Sequence, residues 1–472
     1  MHQQLQWGGR FAGAPDAALL AFGSSLEEDL ILAPFDVATS RAHVSALEAG
    51  GILPTATAQT LRAALDTVAA EIAAGTFAAY AHGSGAEDVH GAIDARVREL
   101  APEAGASMHA GRSRNDQVAT ALALYARDRA QRGATTTAAI ARAALAWART
   151  ALHDETLLAA TTHWQPAQPI LLAFWVEAVA EGFARAALRF DRVAADARAE
   201  CPLGSGACSG STLPLDRAVA ARELGFAAPS RNALDAIGNR DLALDLLHAV
   251  ARALGIASRA SEELVLWSAP AFGYVRLGDE ASTGSSLMPQ KRNPDPFELV
   301  RAHAASATGA LAAALGTTTG IALSYHRDLQ ETKAIVIRAT ERGLAALDAF
   351  RRAAGYLQVN GAAMTARAGD GYTVATDIAD ALVLRGLSAR RAHELVGAAV
   401  TTAERRGSPL DASDLVTLAT AAGLEGPLDA PIDAAASVRA KRTIGSTEPG
   451  QVAGAISALE AVLDARERKE GA

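Results

Sequence analysis

The sequence predicts an all-α protein. Its segments are rich in alanine and poor in β-branched runs, two helical patterns each continue for about thirty residues, and the composition is globular, with 50% hydrophobic and 20% charged residues. Together these features favour close-packed helices over sheets. At 472 residues the chain can bury a large core, and its length corresponds to about two to four domains.

Taken in order, helices are expected over 40–50, 56–74 and 88–100, with breaks at Gly51–Pro54 and at the Gly83-Ser84-Gly85 cluster. They make a small N-terminal helical domain, residues 1–111. The long patterns follow, from Asp116 to about Ala151 and from Ile170 to about Glu200, and helices of this kind reach about 45 Å. Ile237, Leu244, Leu247, Val250 and Leu254 then recur at helical spacing, an apolar stripe for a core or a subunit contact. Further helices run through Glu262–Trp267 and from Val300 to Leu315. This long-helix bundle is expected to occupy 112–360. From about Gly361 the patterns shorten, over 372–385, 388–406, 409–422 and 451–465, which predicts a small helical C-terminal domain, 361–472.

Charge and composition narrow the function. The net charge is −8 and the pI is near 5.8, while the arginines are dispersed along helices, so no global field favours nucleic acid. An anionic ligand would need a local cationic cluster. The two cysteines, Cys201 and Cys208, are too few for a disulfide framework and lack the companions of a zinc site. No basic start with an apolar stretch precedes Trp7, and the most apolar run, Ile170–Val176, is cut by Glu177 and Glu181. A cytoplasmic chain with no membrane partner is expected.

Polar residues gather in four stretches. The first is the loop 282–296, where small residues from Ser282 to Ser286 give a backbone that can move and Lys291 and Asn293 set a cation and an amide beside two hydroxyls. Its exit reads as a helix start, with Asp295 as N-cap, Pro296 in the first helical position and Glu298 completing a capping box; a helix start also favours a carboxylate or phosphate nearby. An ordinary, well-capped connector has the same signals. The second is Met108–Val118, with Arg112, Arg114, Asn115 and Asp116 around a glycine turn. Forked guanidinium donors suit carboxylates, whereas a salt-bridged helix entry accounts for Arg112 and Asp116. The third is the turn Thr161–Pro169, which holds His163, the side-chain type that exchanges protons near neutral pH. The fourth is Tyr325–Lys333, where Gln330 and Lys333 share one helical face. The Gly/Ser-rich stretch 202–214 lacks the lysine and spacing of a P-loop and is not expected to bind nucleotide.

Gly284-Ser285-Ser286-x-Met288-Pro289-x-Lys291-x-Asn293-Pro294 resembles the signature loop of the aspartase/fumarase superfamily. With Gln290 and Asp295 it is most similar to the argininosuccinate lyase branch, although Arg292 stands where that branch more often has a second lysine. Other stretches carry the same resemblance: Trp7–Phe11, Glu87-Asp88-Val89-His90, Met108–Val118 with Ala110 in place of threonine, Thr162-His163-x-Gln165-x-Ala167-Gln168-Pro169, Pro202–Ala207, Asn232–Asp241, Tyr325–Lys333 with His326 in place of asparagine, Tyr372–Asp377 and Ser437-Val438-Arg439. Gly23 and Ser24 stand where the family has Asn-Ala.

The resemblance implies a three-domain fold around a long helical bundle, a homotetramer with sites shared between subunits, and cleavage of argininosuccinate to arginine and fumarate by β-elimination without metal or organic cofactor. It assigns catalysis to His163, Ser285, Lys291 and Glu298, and substrate contacts to Ser25, Arg114, Asn115, Thr162, Asn293, Tyr325, Gln330 and Lys333. An exposed capping serine is the plainer reading of Ser25, and a cap that of Asp88. Lyases acting on adenylosuccinate, fumarate or aspartate derivatives, and a non-catalytic crystallin-like relative, are the alternatives. Arg112–Gln117 and Tyr325–Lys333 argue against the other lyases.

Overall fold

A computed structural model describes residues 16–470; the Trp7–Phe11 stretch lies outside them. Five long helices dominate: Arg114–His153, Leu172–Asp196, Asp241–Ser268, Asp295–Thr317 and Asp328–Ala354. The first has 40 residues, a length of about 60 Å. The described strands are short, the longest having seven residues. Each long helix contributes a part to each of two compact units.

The first unit takes the described residues up to Thr135 with Ala187–Leu254 and His303–Ala345. Its early helices are Ala33–Ala49, Thr55–Ala73 and Val89–Leu100. The first starts at Ala33, with Pro34 in its first turn, where a missing N–H costs no intrahelical bond. Ala42, Ala46, Leu124, Leu203, Leu224 and Phe226 bury one core around Cys201, whose thiol is pushed up to about 11 by burial. Asp116, fully buried, accepts the Ser113 N–H at one oxygen and the N–H groups of Gly204 and Gly206 at the other, each at 2.9 Å. Both glycines have positive φ, 82° and 63°, a conformation open to residues without Cβ. Those N–H groups are already satisfied by a protein carboxylate, the physical reason this glycine-rich stretch is no phosphate cradle.

The second unit comprises Thr136–Ala186, Gly255–Ala302 and Ala346–Ala472. Trp147, Trp175 and Trp267 pack in sequence, with ring centroids 6.3 and 4.6 Å apart, and Phe183, Phe350 and Phe297 form a second aromatic string. Ion pairs such as Arg142–Asp464 and Arg149–Glu460 decorate this unit, but exposed pairs contribute at most about 1 kcal/mol each, so the buried rings and alanines hold it. The C-terminal helices Ala375–Leu384, Ala389–Arg406 and Ala412–Ala421 enclose a core that includes Val374, Ile378, Leu382, Val396 and Leu418. Asp411 and Asp414 form a capping box at the third of these.

The stretch expected as a proline-punctuated turn is a β-hairpin. Leu157–Thr162 pairs antiparallel with Gln165–Leu171, and prolines 166 and 169 are accommodated because a two-stranded ribbon has open edges where no ladder N–H is required. The helix expected from Ile170 therefore begins at Leu172. Thr365 Oγ1 accepts the Leu157 N–H at 3.1 Å and Thr447 Oγ1 the Leu171 N–H at 2.8 Å, fixing the base of the hairpin.

Candidate active site

The first unit contains a cavity of about 270 Å³. Arg114 and Asn115 reach it from the start of the Arg114–His153 helix, Gln330 and Lys333 from the first turns of the Asp328–Ala354 helix, and Ser25 and Tyr325 from flanking loops. The six first-unit residues assigned to substrate contact are thus brought to one cavity.

Lys333 is buried and pairs with Asp29 at 2.6 Å, and the Ser25 hydroxyl donates to the other oxygen of Asp29 at 2.6 Å. Ser25 is buried and its side chain makes no capping bond, so the exposed-cap reading fails for it. Asp88 does cap its helix, accepting the Gly91 N–H at 2.6 Å, and also holds Arg114 at 3.0 Å. Burial pushes the Asp88 carboxyl up, but Arg114, His90 and the Gly91 N–H together keep it below its ordinary value. Arg114 donates to Gln117 at 2.7 Å, and Gln117 in turn donates to buried Asp36 at 2.7 Å. The Asn115 amide donates to the Ala207 carbonyl at 3.0 Å. Burial raises the Tyr325 hydroxyl, so it stays a neutral donor. Arg112 bonds Ser40 at 2.9 Å and is buried beside Asp36, while its Nε and Nη2 lack hydrogen-bond partners among the described residues; it is a buried structural arginine rather than the salt-bridged one expected.

The second unit carries the proton-exchange candidates. His163 and Trp164 are the two central residues of the hairpin turn, both with positive φ (54° and 61°). This is the twist a two-residue hairpin loop requires, and Asn-Gly ordinarily supplies it. Non-glycine residues in that region store strain, a feature that clusters at functional sites. The turn holds His163 and Thr162 out in solvent, and His163 makes no hydrogen bond among the described residues.

The loop 282–296 is pinned at its neck. Thr283 and Asn293 exchange backbone bonds of 3.3 and 2.9 Å, and the Thr283 hydroxyl donates to Asp295 at 2.6 Å. Arg292 pairs with Asp279. The helix begins at Asp295, a residue before the expected Pro296, with the Pro294 carbonyl accepting from Phe297 and Glu298; Asp295 is engaged by Thr283 instead of capping. Within the loop, Ser285 Oγ accepts the N–H groups of Leu287 at 3.3 Å and Met288 at 3.1 Å. Two donors aimed at a serine oxygen stabilise negative charge on it. Lys291 and Glu298 are exposed, and Glu298 lies 3.9 Å from Arg301.

Arg240 and Asp29 line or support the cavity without having been singled out from sequence. Arg240 sits at the end of the Asn232–Asp241 stretch, where an arginine beside a helix start looks ordinary. Only its burial and its partners mark it. Among the described residues no group of three His, Cys, Asp or Glu is arranged to hold a metal ion, and no helix is long and apolar enough to cross a membrane.

The family described as Lyase matches residues 9–309 and that described as Argininosuccinate lyase C-terminal matches 372–439. The chain is 44% identical over 399 residues to the argininosuccinate lyase of Anaeromyxobacter dehalogenans (strain 2CP-C), covering 84% of each. It is 40% identical over 460 residues to that of Mycolicibacterium paratuberculosis, covering 96% of each. Among solved structures, EDDS lyase in complex with formate superposes with a TM-score of 0.80 at 25% identity, over 97% of this chain and 92% of that one. A fumarate lyase from Mesorhizobium sp. BNC1 shares the fold at 21% identity and a TM-score of 0.71.

Proposed function

The chain belongs to the argininosuccinate lyase family, and from that premise we propose that it cleaves argininosuccinate to arginine and fumarate by β-elimination, in the cytoplasm, as a homotetramer whose sites combine residues of different subunits. The observation that carries the reading is the Ser285 oxygen held by two backbone N–H groups in a loop that also bears Lys291 and Asn293.

A free serine is a poor base, and donors that favour its alkoxide bring it within range of proton abstraction. Ser285 takes the proton from the carbon next to a succinyl carboxylate. The electron pair moves onto that carboxylate, where Lys291, Asn293 and loop N–H groups meet the added charge. The carbon–nitrogen bond then breaks, the pair returns to form the double bond of fumarate, and His163 gives its proton to the departing guanidino nitrogen. Glu298 of a neighbouring subunit orients that imidazole, and Thr162 and Asn293 hold the carboxylates.

Sharing between subunits is supported by where the groups lie in the chain. Ser25, Arg114, Asn115, Tyr325, Gln330 and Lys333 belong to the first unit, and Thr162, His163, Ser285, Lys291, Asn293 and Glu298 to the second. Packing subunits antiparallel through closed symmetry would give every site both sets. Purified protein given argininosuccinate should raise the ultraviolet absorbance as fumarate forms, with arginine released in equal amount. No fumarate from a folded preparation would defeat the proposal.

A further inference from the structure

The cavity in the first unit is lined by four cations, and three are neutralised within the chain. Lys333 pairs with Asp29 at 2.6 Å, Arg114 with Asp88 at 3.0 Å, and Arg327 with Glu87 at 3.3 Å. Arg240 is different. Its residue is 4% exposed, its Nη1 donates to the carbonyls of Ile237 at 3.1 Å and Asn239 at 2.8 Å, and its Nε is buried without a hydrogen-bond partner. Among the described residues no carboxylate pairs with it, and its acceptors are the two carbonyl oxygens.

A buried cation without a counter-charge is unfavourable, and the low dielectric that makes it so also strengthens its attraction to an incoming anion. We propose that Arg240 is a specificity-determining residue of this cavity, supplying the uncompensated positive charge that draws in and orients the α-carboxylate of the substrate's amino-acid end. This rests on the reading that the cavity takes part of argininosuccinate. The choice of end follows from the other lining groups. Glu87 and Asp88 line the same cavity but are already paired with Arg327 and Arg114. The one uncompensated charge is therefore that of Arg240, which matches the single carboxylate of the α-amino-acid end rather than the two of the succinyl end. Burial lowers the Arg240 guanidinium to about 10, still charged at neutral pH. A lysine in its place, more easily deprotonated when desolvated, would carry the charge only at lower pH.

The test uses the full-length protein with L-arginine and fumarate as separate titrants, on wild type, Arg240→Gln and Arg240→Lys, each shown folded by circular dichroism. Arg240→Gln should weaken L-arginine by about tenfold or more while fumarate changes by no more than about threefold. Arg240→Lys should bind L-arginine near pH 7 and lose affinity relative to the wild type as pH rises, the two being compared at each pH because the ligand's own α-ammonium also deprotonates over that range. Equal L-arginine affinity in wild type and Arg240→Gln would overturn the inference and leave Arg240 as a helix-entry brace, as would a loss confined to fumarate. A pH-independent defect in Arg240→Lys would overturn it as well, since a brace has no titration. Failure of the wild type to bind either product would sink the underlying reading of the cavity.

Discussion

Ser285 is the residue on which the proposed chemistry turns. Its oxygen accepts two N–H groups, an arrangement that lowers the energy of the alkoxide and so acts on the transition state rather than on ground-state binding. Ser285→Ala should abolish turnover while product affinity stays within about an order of magnitude; near-normal turnover would remove Ser285 from the mechanism. Lys333 behaves differently. Its ammonium is engaged by Asp29, whose side chain is fully buried, so Lys333→Ala strands a carboxylate and should lower stability by about 3–5 kcal/mol, measured by denaturant unfolding, besides weakening ligand binding. Sequence pattern could place Lys333 on a face with Gln330, but the opposing Asp29 comes from a segment some three hundred residues away in the chain, and no local pattern encodes that pairing. Arg240 was illegible for a related reason, since its interest lies in a missing partner, which only the folded chain reveals.

The helices Arg114–His153, Leu172–Asp196 and Asp295–Thr317 were legible to within a few residues because their apolar periodicity and capping signals are local. Asp241–Ser268, by contrast, was read in two pieces, and only the first turns of Asp328–Ala354 were read at all. The hairpin was not legible. A run of Thr-Thr-His-Trp-Gln-Pro has neither the Asn-Gly nor the Gly-X signal that marks a two-residue turn, and the two prolines counted against strands. The strand edges are open and the turn forces His163 and Trp164 into the left-handed region, so local propensity is overruled. Left-handed backbone costs a non-glycine residue roughly 1–2 kcal/mol, less for histidine than for tryptophan. Trp164→Gly should therefore stabilise the hairpin by up to about 1 kcal/mol, seen as a raised melting temperature. A melting temperature that falls would show that the exposed indole makes contacts in the assembled protein that outweigh the strain.

At the scale of the whole molecule, stability should fall in mild acid. Burial followed by the nearby Arg112 charge holds the His43 imidazole well below its ordinary value, and the same two causes lower His109 to about 4. The unfolded chain protonates these histidines near pH 6.5, while the folded chain resists until lower pH. Between those values the unfolded state binds more protons, so stability declines as pH drops from about 7 toward about 4. Melting curves across that range should show the decline, and His109→Gln should flatten it. Asp88, whose folded carboxyl is lowered, adds a further loss only as pH falls below about 4.

Assembly of the site from different subunits is the central claim, and complementation tests it most directly. His163→Asn removes the proton donor from the second unit's set and Asn115→Leu a positioning amide from the first unit's set, and each variant should be inactive alone. Co-refolded and assayed for fumarate release from argininosuccinate, the mixture should regain part of the wild-type rate, because some hybrid sites receive His163 from one chain and Asn115 from another. A mixture that stays inactive, although hybrid tetramers are shown to form, would mean that every site is built within one chain and would contradict the account.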